Sequence, residues 1–366
     1  MSDPMNGFDT KPFAYLFVNL LLIDLRSSFP SLLAQLNTPN YSTTSQRLAA
    51  AFDVVSGFIG FLVRSLDDTA GTFDLVIPPD LLLKLRKDLA ETMSLAIEYL
   101  RDRWDASVAG AAGLDTTARR GTASTSEGTR LTLTWDTLKD DVKSDPLILA
   151  GIRTIAVWIR EDDNDNLRNE CAGLMDMFME LYQDSSDVSS IFRYPILLAL
   201  EGIMMTEEGI DAFLAQEGWQ IVSEDLNSIL KNASENNINS SIPTEDNSNR
   251  GLQIVRVLLQ VLDHDRTRFP EEAWMTTIKK TAGMKVALIT HPPAVIELQI
   301  AMLQLSLALF DKASGGMAKR YHMNLEALLG ILNQLRPVID SLTDKNEAAE
   351  LMSSLDEVSL HLENLR

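Results

Sequence analysis

A single cysteine, Cys171, stands in 366 residues, which excludes an intramolecular disulfide and a cysteine-based zinc site. Histidine is almost as scarce: His264, His291, His322 and His361 include no H-E-x-x-H pair, the spacing that places two zinc ligands on one helical face. The G-x-x-x-x-G-K-[ST] loop, the G-x-G-x-x-G turn after a strand and the G-x-S-x-G nucleophile elbow are missing too, and with them the usual phosphate cradles and serine-hydrolase geometry. Only 7% of residues are aromatic, whereas Leu, Ala, Ile and Met are abundant, which favours helix over sheet. Basic residues number 32 against 52 acidic ones, a formal charge of −20. Such a surface repels nucleic acid and anionic lipid, so counterion release drives binding to neither. It suits basic partners and also serves solubility. No cofactor, metal or catalytic residue is assigned.

The N-terminal apolar run, "AYLFVNLLLIDL" (14–25), follows Asp3 and Asp9 with only Lys11 basic, and no small-residue cleavage site comes after it. That is not a secretory signal. Twelve residues containing Asn19 and Asp24 are also too few for a membrane span, so no integral membrane segment is expected. The sequons at Asn40, Asn232 and Asn239 carry no weight without secretion, and a reducing cytoplasmic or nuclear setting is expected, cytoplasmic by default.

What is present is helical periodicity along most of the chain. Leu48, Phe52, Val55, Ile59 and Leu62 form one stripe; Leu82, Leu85, Leu89, Met93, Ala96 and Leu100 form another. Later stripes are Val255–Leu258–Leu262, Leu325–Leu328–Leu332–Leu335–Ile339 and Leu351–Leu355–Val358–Leu362–Leu365. In "AVIELQIAMLQLSLALF", Ile296, Ile300, Leu303, Leu307 and Phe310 line one side while Leu298, Met302, Leu305 and Leu309 line a second. A helix apolar on two sides must be covered on two sides. Pro79, Pro146, Pro195, Pro270 and Pro293 are expected at or just before first turns. "ASGG" (313–316) is expected to stop a helix, and Pro337 to kink or end one. The nearest thing to a strand, "TRLTLTW", makes no sheet alone. Two polar stretches, 109–130 and 232–251, hold too little apolar area to offset ordering entropy and are expected to be flexible loops. In the first, Ser124 and Thr125 are generic phosphorylation candidates.

These features predict an all-α protein. Long two-faced helices without a fixed-period repeat favour an irregular armadillo/HEAT-like alpha-solenoid, a superhelix of stacked helix pairs, over a globular bundle. The expected organisation is helical repeats over 1–231, the loop 232–251, and further repeats over 252–366.

Two places invite a chemical reading. "WIREDDNDNLRNE" (158–170) fails as a calcium loop. From Asp162, Leu167 stands where the sharp turn needs Gly and Gly173 where the bidentate Glu belongs; from Glu161, those places hold Asn166 and Ala172. A helix–helix corner explains it better. Ile148, Ile152, Ile155 and Ile159 recur before the acidic run and Leu167, Cys171, Leu174, Phe178 and Leu181 after it, with Asp163, Asn164 or Asp165 available to cap the second helix. On that apolar face Cys171 belongs to the core. In "DHDR" (263–266), Asp263 or Asp265 could orient His264 as a base. A lone His–Asp pair lacks a nucleophile and an oxyanion site, and a helix ending near Leu262 with Asp265 or Thr267 starting the next accounts for it. Of the five tryptophans, Trp104, Trp135, Trp158, Trp219 and Trp274, Trp158 falls beside an apolar stripe and is expected in the core. The basic clusters, around Arg119 and at Lys279–Lys280, are minor.

The order of segments resembles the neurochondrin family. In "DPLILAGIRTIAVWIREDDNDNLRNECAGLMDMFMELY" (145–182) a Trp-bearing helix ends in acidic residues and a Leu-Arg-x-Glu helix follows, with Trp158, Glu161, Leu167, Arg168 and Glu170 in the corresponding places. "YLFVNLLLIDLRSSF" (15–29), "LLLKLRKDLAETMSLAIEYL" (81–100) and "EGIDAFLAQEGWQIVSEDL" (208–226) fall in the family's order. The resemblance covers about two thirds of the chain and corresponds to the C-terminal half of the family's usual length; 250–366 matches in kind only. The first helix, with Phe13, Phe17, Leu20, Leu21 and Ile23, is apolar nearly all round, as expected of a fragment, of a truncated gene product or of a surface that a partner covers.

The resemblance implies a non-enzymatic armadillo-type scaffold, a cytoplasmic adaptor of the kind that binds receptor tails, small-GTPase machinery and assembly factors. No binding residue follows from it. The expected function is a scaffold or adaptor holding protein partners on an acidic surface. The alternatives are an acidic chaperone or assembly factor for basic proteins, and a cryptic hydrolase centred on His264.

Overall fold

A computed structural model describes residues 12–36, 38–67, 77–108, 139–184, 190–235, 245–264, 270–286 and 292–365. Among them every regular element is a helix. The chain divides into two compact units, Met1–Gly202 and Ile203–Arg366, and the segment 232–251 lies within the second.

The first unit holds α1 (Phe13–Leu32), extended by a short 3-10 turn, then α2 (Asn40–Asp67), α3 (Pro79–Val108), α4 (Lys139–Ser144), α5 (Pro146–Glu161), α6 (Asp165–Ala172), α7 (Met175–Gln183) and α8 (Ser190–Ile203), whose last residue crosses into the second. Its densest packing is α2 on α5, where Leu48, Phe52, Val55 and Ile59 bury with Ile148, Ile152, Ile155 and Ile159. Leu62 stays half-buried. Asp145 caps α5 by accepting from the N–H of Leu147 at 3.0 Å, and Pro146 takes the first helical position, where the missing N–H costs nothing. The same carboxylate accepts from the hydroxyls of Tyr41 and Ser45, and Tyr41 meets the Tyr99 hydroxyl at 2.8 Å. One buried acid thereby joins α2, α3 and α5. Burial first, then the Asp145 charge, pushes Tyr41 above the ordinary tyrosine range; burial and then Tyr41 push Tyr99 up.

The second unit contains α9 (Glu207–Ala215), α10 (Gly218–Glu235), α11 (Glu245–His264), α12 (Glu272–Ala282), α13 (Pro293–Lys312), α14 (Gly315–Tyr321), α15 (Leu325–Asp340) and α16 (Lys345–Leu365). At its centre α13 touches α11, α12, α15 and α16, and all nine residues of its two expected apolar faces are buried. The hydroxyls of Ser306 and Thr281 join α13 to α12 at 3.0 Å.

Several local expectations need correction. The stripe from Leu167 to Leu181 is buried throughout, but Gly173 and Leu174 break it into α6 and α7. Pro195 stands sixth in α8 rather than in its first turn; the carbonyl it leaves unpaired belongs to Ile191, an exposed position. Pro337 does not end α15, which continues to Asp340, because the freed carbonyl of Asn333 also lies on an exposed turn. "ASGG" does end α13 at Lys312, yet its glycines open α14. Helix α10 runs on to Glu235 and α11 begins at Glu245, so both ends of the 232–251 stretch are helical. The 109–130 stretch, "TRLTLTW", Arg119, Trp135, Asp265, Thr267 and His291 lie outside the described residues.

Candidate partner-binding site

The acidic corner at 158–170 is a helix joint. Asn164 accepts from the N–H of Leu167 at 3.3 Å and caps α6, so it fills the capping role open to three residues. Asp162 has a different task. It is only 6% exposed and pairs with Arg86 Nε at 2.7 Å, tying α3 to the corner. Helix α3 holds the next two helices in the same way: Ser94 donates to Glu170 at 2.7 Å, Arg101 to the Glu170 carbonyl at 2.8 Å, and Trp104 to Asp176 at 3.1 Å. Cys171 is fully buried, and burial pushes its thiol well above the ordinary range, the opposite of an activated nucleophile. His264 is the exposed last residue of α11, two beyond the expected end, with Asp263 exposed beside it. The next helix starts at Glu272. Among the described residues no group of three His, Cys, Asp or Glu side chains is placed to hold a metal.

Among the described residues three helices, Phe13–Gln35, Asn40–Ser65 and Pro293–Lys312, are long and apolar enough to cross a membrane by length and composition alone. The N-terminal apolar segment is longer than expected because the helix continues past Asp24 and Arg26. Of the three helices, α13 is covered by its neighbours, and α1 ties to α3 through Arg26, which pairs with Asp88 at 3.2 Å and Glu91 at 2.9 Å. One side of α1 is left open, with Phe13, Leu16, Phe17, Leu20 and Ile23 exposed and the rings of Phe13 and Phe17 stacked at 5.9 Å. Leu21 is half-buried.

A cleft lies in the second unit, where the starts of α10 and α12 meet the end of α9. It encloses about 540 Å³ and is lined by Asp211, Leu214, Ala215, Glu217, Trp219, Gln220, Glu271 and Trp274. Trp219 and Trp274 stack with ring centroids 4.1 Å apart and planes 11° from parallel. They are 3% and 6% exposed, so they form a wall rather than a free platform. Three carboxylates stand around it. Glu217 is the joint between α9 and α10: its N–H donates to the Leu214 carbonyl at 3.1 Å, and its carbonyl accepts from Gln220 at 3.0 Å and Ile221 at 3.1 Å. It does this at φ 54°, a left-handed conformation that costs a side-chain-bearing residue about 1–2 kcal/mol. Glycine would relieve that strain, but glycine stands one place later. There a Cβ on Gly218 would fall 2.3 Å from the Phe213 ring. Glu271 caps α12 by its backbone only, with no side-chain capping bond. Among the described residues neither Glu217 nor Glu271 carries an ion pair or side-chain hydrogen bond. The arrangement suits a long cationic side chain, with an apolar stem on the indole wall and a charged head among the carboxylates.

A second cavity, of about 190 Å³, is lined by Asn227, Leu230, Lys231, Lys280, Gly283, Met284, Lys285 and Gln299. Helices α10 and α12 serve both places, the starts of each at the acidic cleft and their later turns here. Burial, and then the charge of Lys231, hold Lys280 below the ordinary lysine range, with Glu224 opposing. Lys279 points elsewhere, its ammonium 5.0 Å from the centre of the Tyr321 ring.

Trp219, Trp274 and Lys280 are visible in the sequence, but nothing there groups them into clefts. Trp219 and Trp274 are 55 positions apart, and only folding brings them together. The signal that was present is a glutamate followed within three residues by tryptophan at two helix starts, Glu217-Gly218-Trp219 and Glu271-Glu272-Ala273-Trp274.

Helices throughout the described residues define an all-helical protein. Residues 4–322 match the Neurochondrin family, and the chain belongs to it. The match extends past residue 250, where the sequence resemblance held in kind only. The chain is also 22% identical over 186 residues to an uncharacterized protein of Schizosaccharomyces pombe, a stretch that is 51% of this chain and 28% of the relative. The chain therefore spans under a third of the length of that curated relative. No solved structure matches.

Proposed function

We propose that this protein is a non-catalytic scaffold of stacked helix pairs, armadillo/HEAT-like in plan, that holds protein partners in the cytoplasm by their basic segments. The observation that carries this reading is the cleft of Asp211, Glu217 and Glu271 against the Trp219–Trp274 wall. Its carboxylates lie on a chain of net charge −20, a field that draws basic segments and speeds their encounter. Membership of the Neurochondrin family supports an interaction role.

Tryptophan emission tests it. Titrating the full chain with an arginine- and lysine-containing peptide should change the emission saturably, and a glutamate-substituted peptide of equal length should not. No response to the basic peptide, or an equal response to the acidic one, overturns the reading. Cell fractionation tests the cytoplasmic part, and recovery in a secreted fraction would contradict it.

A further inference from the structure

The cavity at the later turns of α10 and α12 gathers Lys231, Lys280 and Lys285 on a chain where carboxylates outnumber basic groups 52 to 32. Among the described residues no carboxylate pairs with Lys280 or Lys285 within 4 Å. Helix ends attract lysines without any ligand, and that accounts for Lys280 in the last turn of α12. It does not account for the other two. Lys231 lies before the last turn of α10, which has no basic residue, and Lys285 lies beyond the Gly283 cap of α12. The dipole effect fades within one turn. Like charges brought around one cavity raise the free energy of the empty site, and an anion lowers it.

We propose that this cavity binds a phosphoryl group. A phosphate monoester carries about −1.5 to −2 charges and three acceptor oxygens, which the Lys280 and Lys285 ammonium groups, with Lys231 beside them, match better than a single carboxylate would. Asn227 adds an amide that can donate. Gln299 already donates to the Lys285 carbonyl at 3.4 Å, holding the segment that carries this lysine against α13. The net charge does not forbid the site. At physiological salt, charges more than about 8 Å away are largely screened, so the nearby lysines set the local potential. Burial and Lys231 both hold Lys280 below its ordinary range, and a bound anion would reverse that direction. The site uses neither the indole wall nor the acidic cleft, so it stands or falls apart from the basic-segment reading.

The test is a titration of the full chain with inorganic phosphate, followed by amide chemical shifts and by melting temperature. Residues 227–231 and 280–285 should shift together, and the melting temperature should rise saturably. Lys280→Met and Lys285→Met should each weaken binding roughly tenfold, the scale of one charge-assisted hydrogen bond. Lys279→Met, on the Tyr321 side of the same turn, should leave it unchanged. A phosphoserine peptide that binds more tightly than phosphate and than its serine form would place the phosphoryl group on a protein partner; equal binding of phosphate and phosphopeptide would point to the free anion. The proposal is overturned if neither probe moves those residues, or if Lys279→Met weakens binding as much as Lys280→Met. All three lysines are exposed, so the variants should fold.

Discussion

Trp219 and Trp274 stack at 4.1 Å and join the starts of α10 and α12, although they lie 55 positions apart in the chain. Such pairs contribute about 0.5–1.5 kcal/mol beyond the area they bury. Here the stack also forms the wall against which three carboxylates are arranged. Trp274→Ala should cost about 3–5 kcal/mol in urea unfolding and remove the cleft's apolar side. Trp219→Phe should cost less than Trp104→Phe. Among the described residues the Trp219 indole N–H meets no acceptor, whereas Trp104 donates to Asp176 at 3.1 Å, a bond whose loss adds about 1–2 kcal/mol. A larger cost at Trp219 would contradict this packing.

Glu217→Gly separates stability from binding. Glycine accepts φ 54° without strain but orders at a greater entropic cost, so the net change should lie between about 0 and 1 kcal/mol in favour of the folded state. The same change should weaken binding of a basic peptide. A fall in melting temperature of several degrees would show that Glu217 is there for stability.

Alkaline pH should destabilise the first unit through Tyr41 and Tyr99. Both are raised above the ordinary value of 10.0, chiefly by burial. A native state that holds these protons more tightly than the unfolded chain has the full benefit below pH 10 and loses it as pH rises from there. The urea midpoint should therefore fall between about pH 10 and pH 11, by up to about 1.4 kcal/mol per pH unit for each tyrosine. In Tyr41→Phe the fall should be shallower. A midpoint flat over that interval would contradict the buried Tyr41–Tyr99–Asp145 cluster.

Two glycines should respond oppositely to alanine. A Cβ at Gly209 would lie 2.2 Å from the Ile203 carbonyl oxygen, and the bond from its N–H to the Thr206 hydroxyl at 3.2 Å holds it there. Gly209→Ala should destabilise by at least about 2 kcal/mol. A Cβ at Gly57 in α2 meets nothing within 4 Å, so Gly57→Ala should stabilise by about 0.5–1 kcal/mol. Denaturant midpoints of the two variants check both signs.

Helices were legible wherever one period of apolar residues told the whole story. The faces of α13 and the isoleucines of α5 are buried as their spacing requires, and the acidic corner resolved to Asn164 as cap. Proline ends neither α8 nor α15. At Pro195 and Pro337 the unpaired carbonyls belong to exposed positions where water can serve them, so the helices continue. Exposure of a single carbonyl depends on neighbours that periodicity does not reveal. The clefts were illegible for a related reason. Lys279–Lys280 looked like one minor cluster, yet Lys279 sits over Tyr321 while Lys280 joins Lys231 and Lys285. Adjacent residues on a helix face about 100° apart, and partners from other helices decide what each one meets.

The most direct measurement is calorimetric binding of an arginine- and lysine-containing peptide to the full chain and to the Glu217→Gln/Glu271→Gln double variant, from about 0.05 M to about 0.5 M salt. Affinity of the parent chain should fall roughly tenfold or more over that range as screening grows. The double variant should bind roughly tenfold more weakly at low salt and converge on the parent at high salt. Equal affinity of the two proteins at every salt concentration would contradict the account.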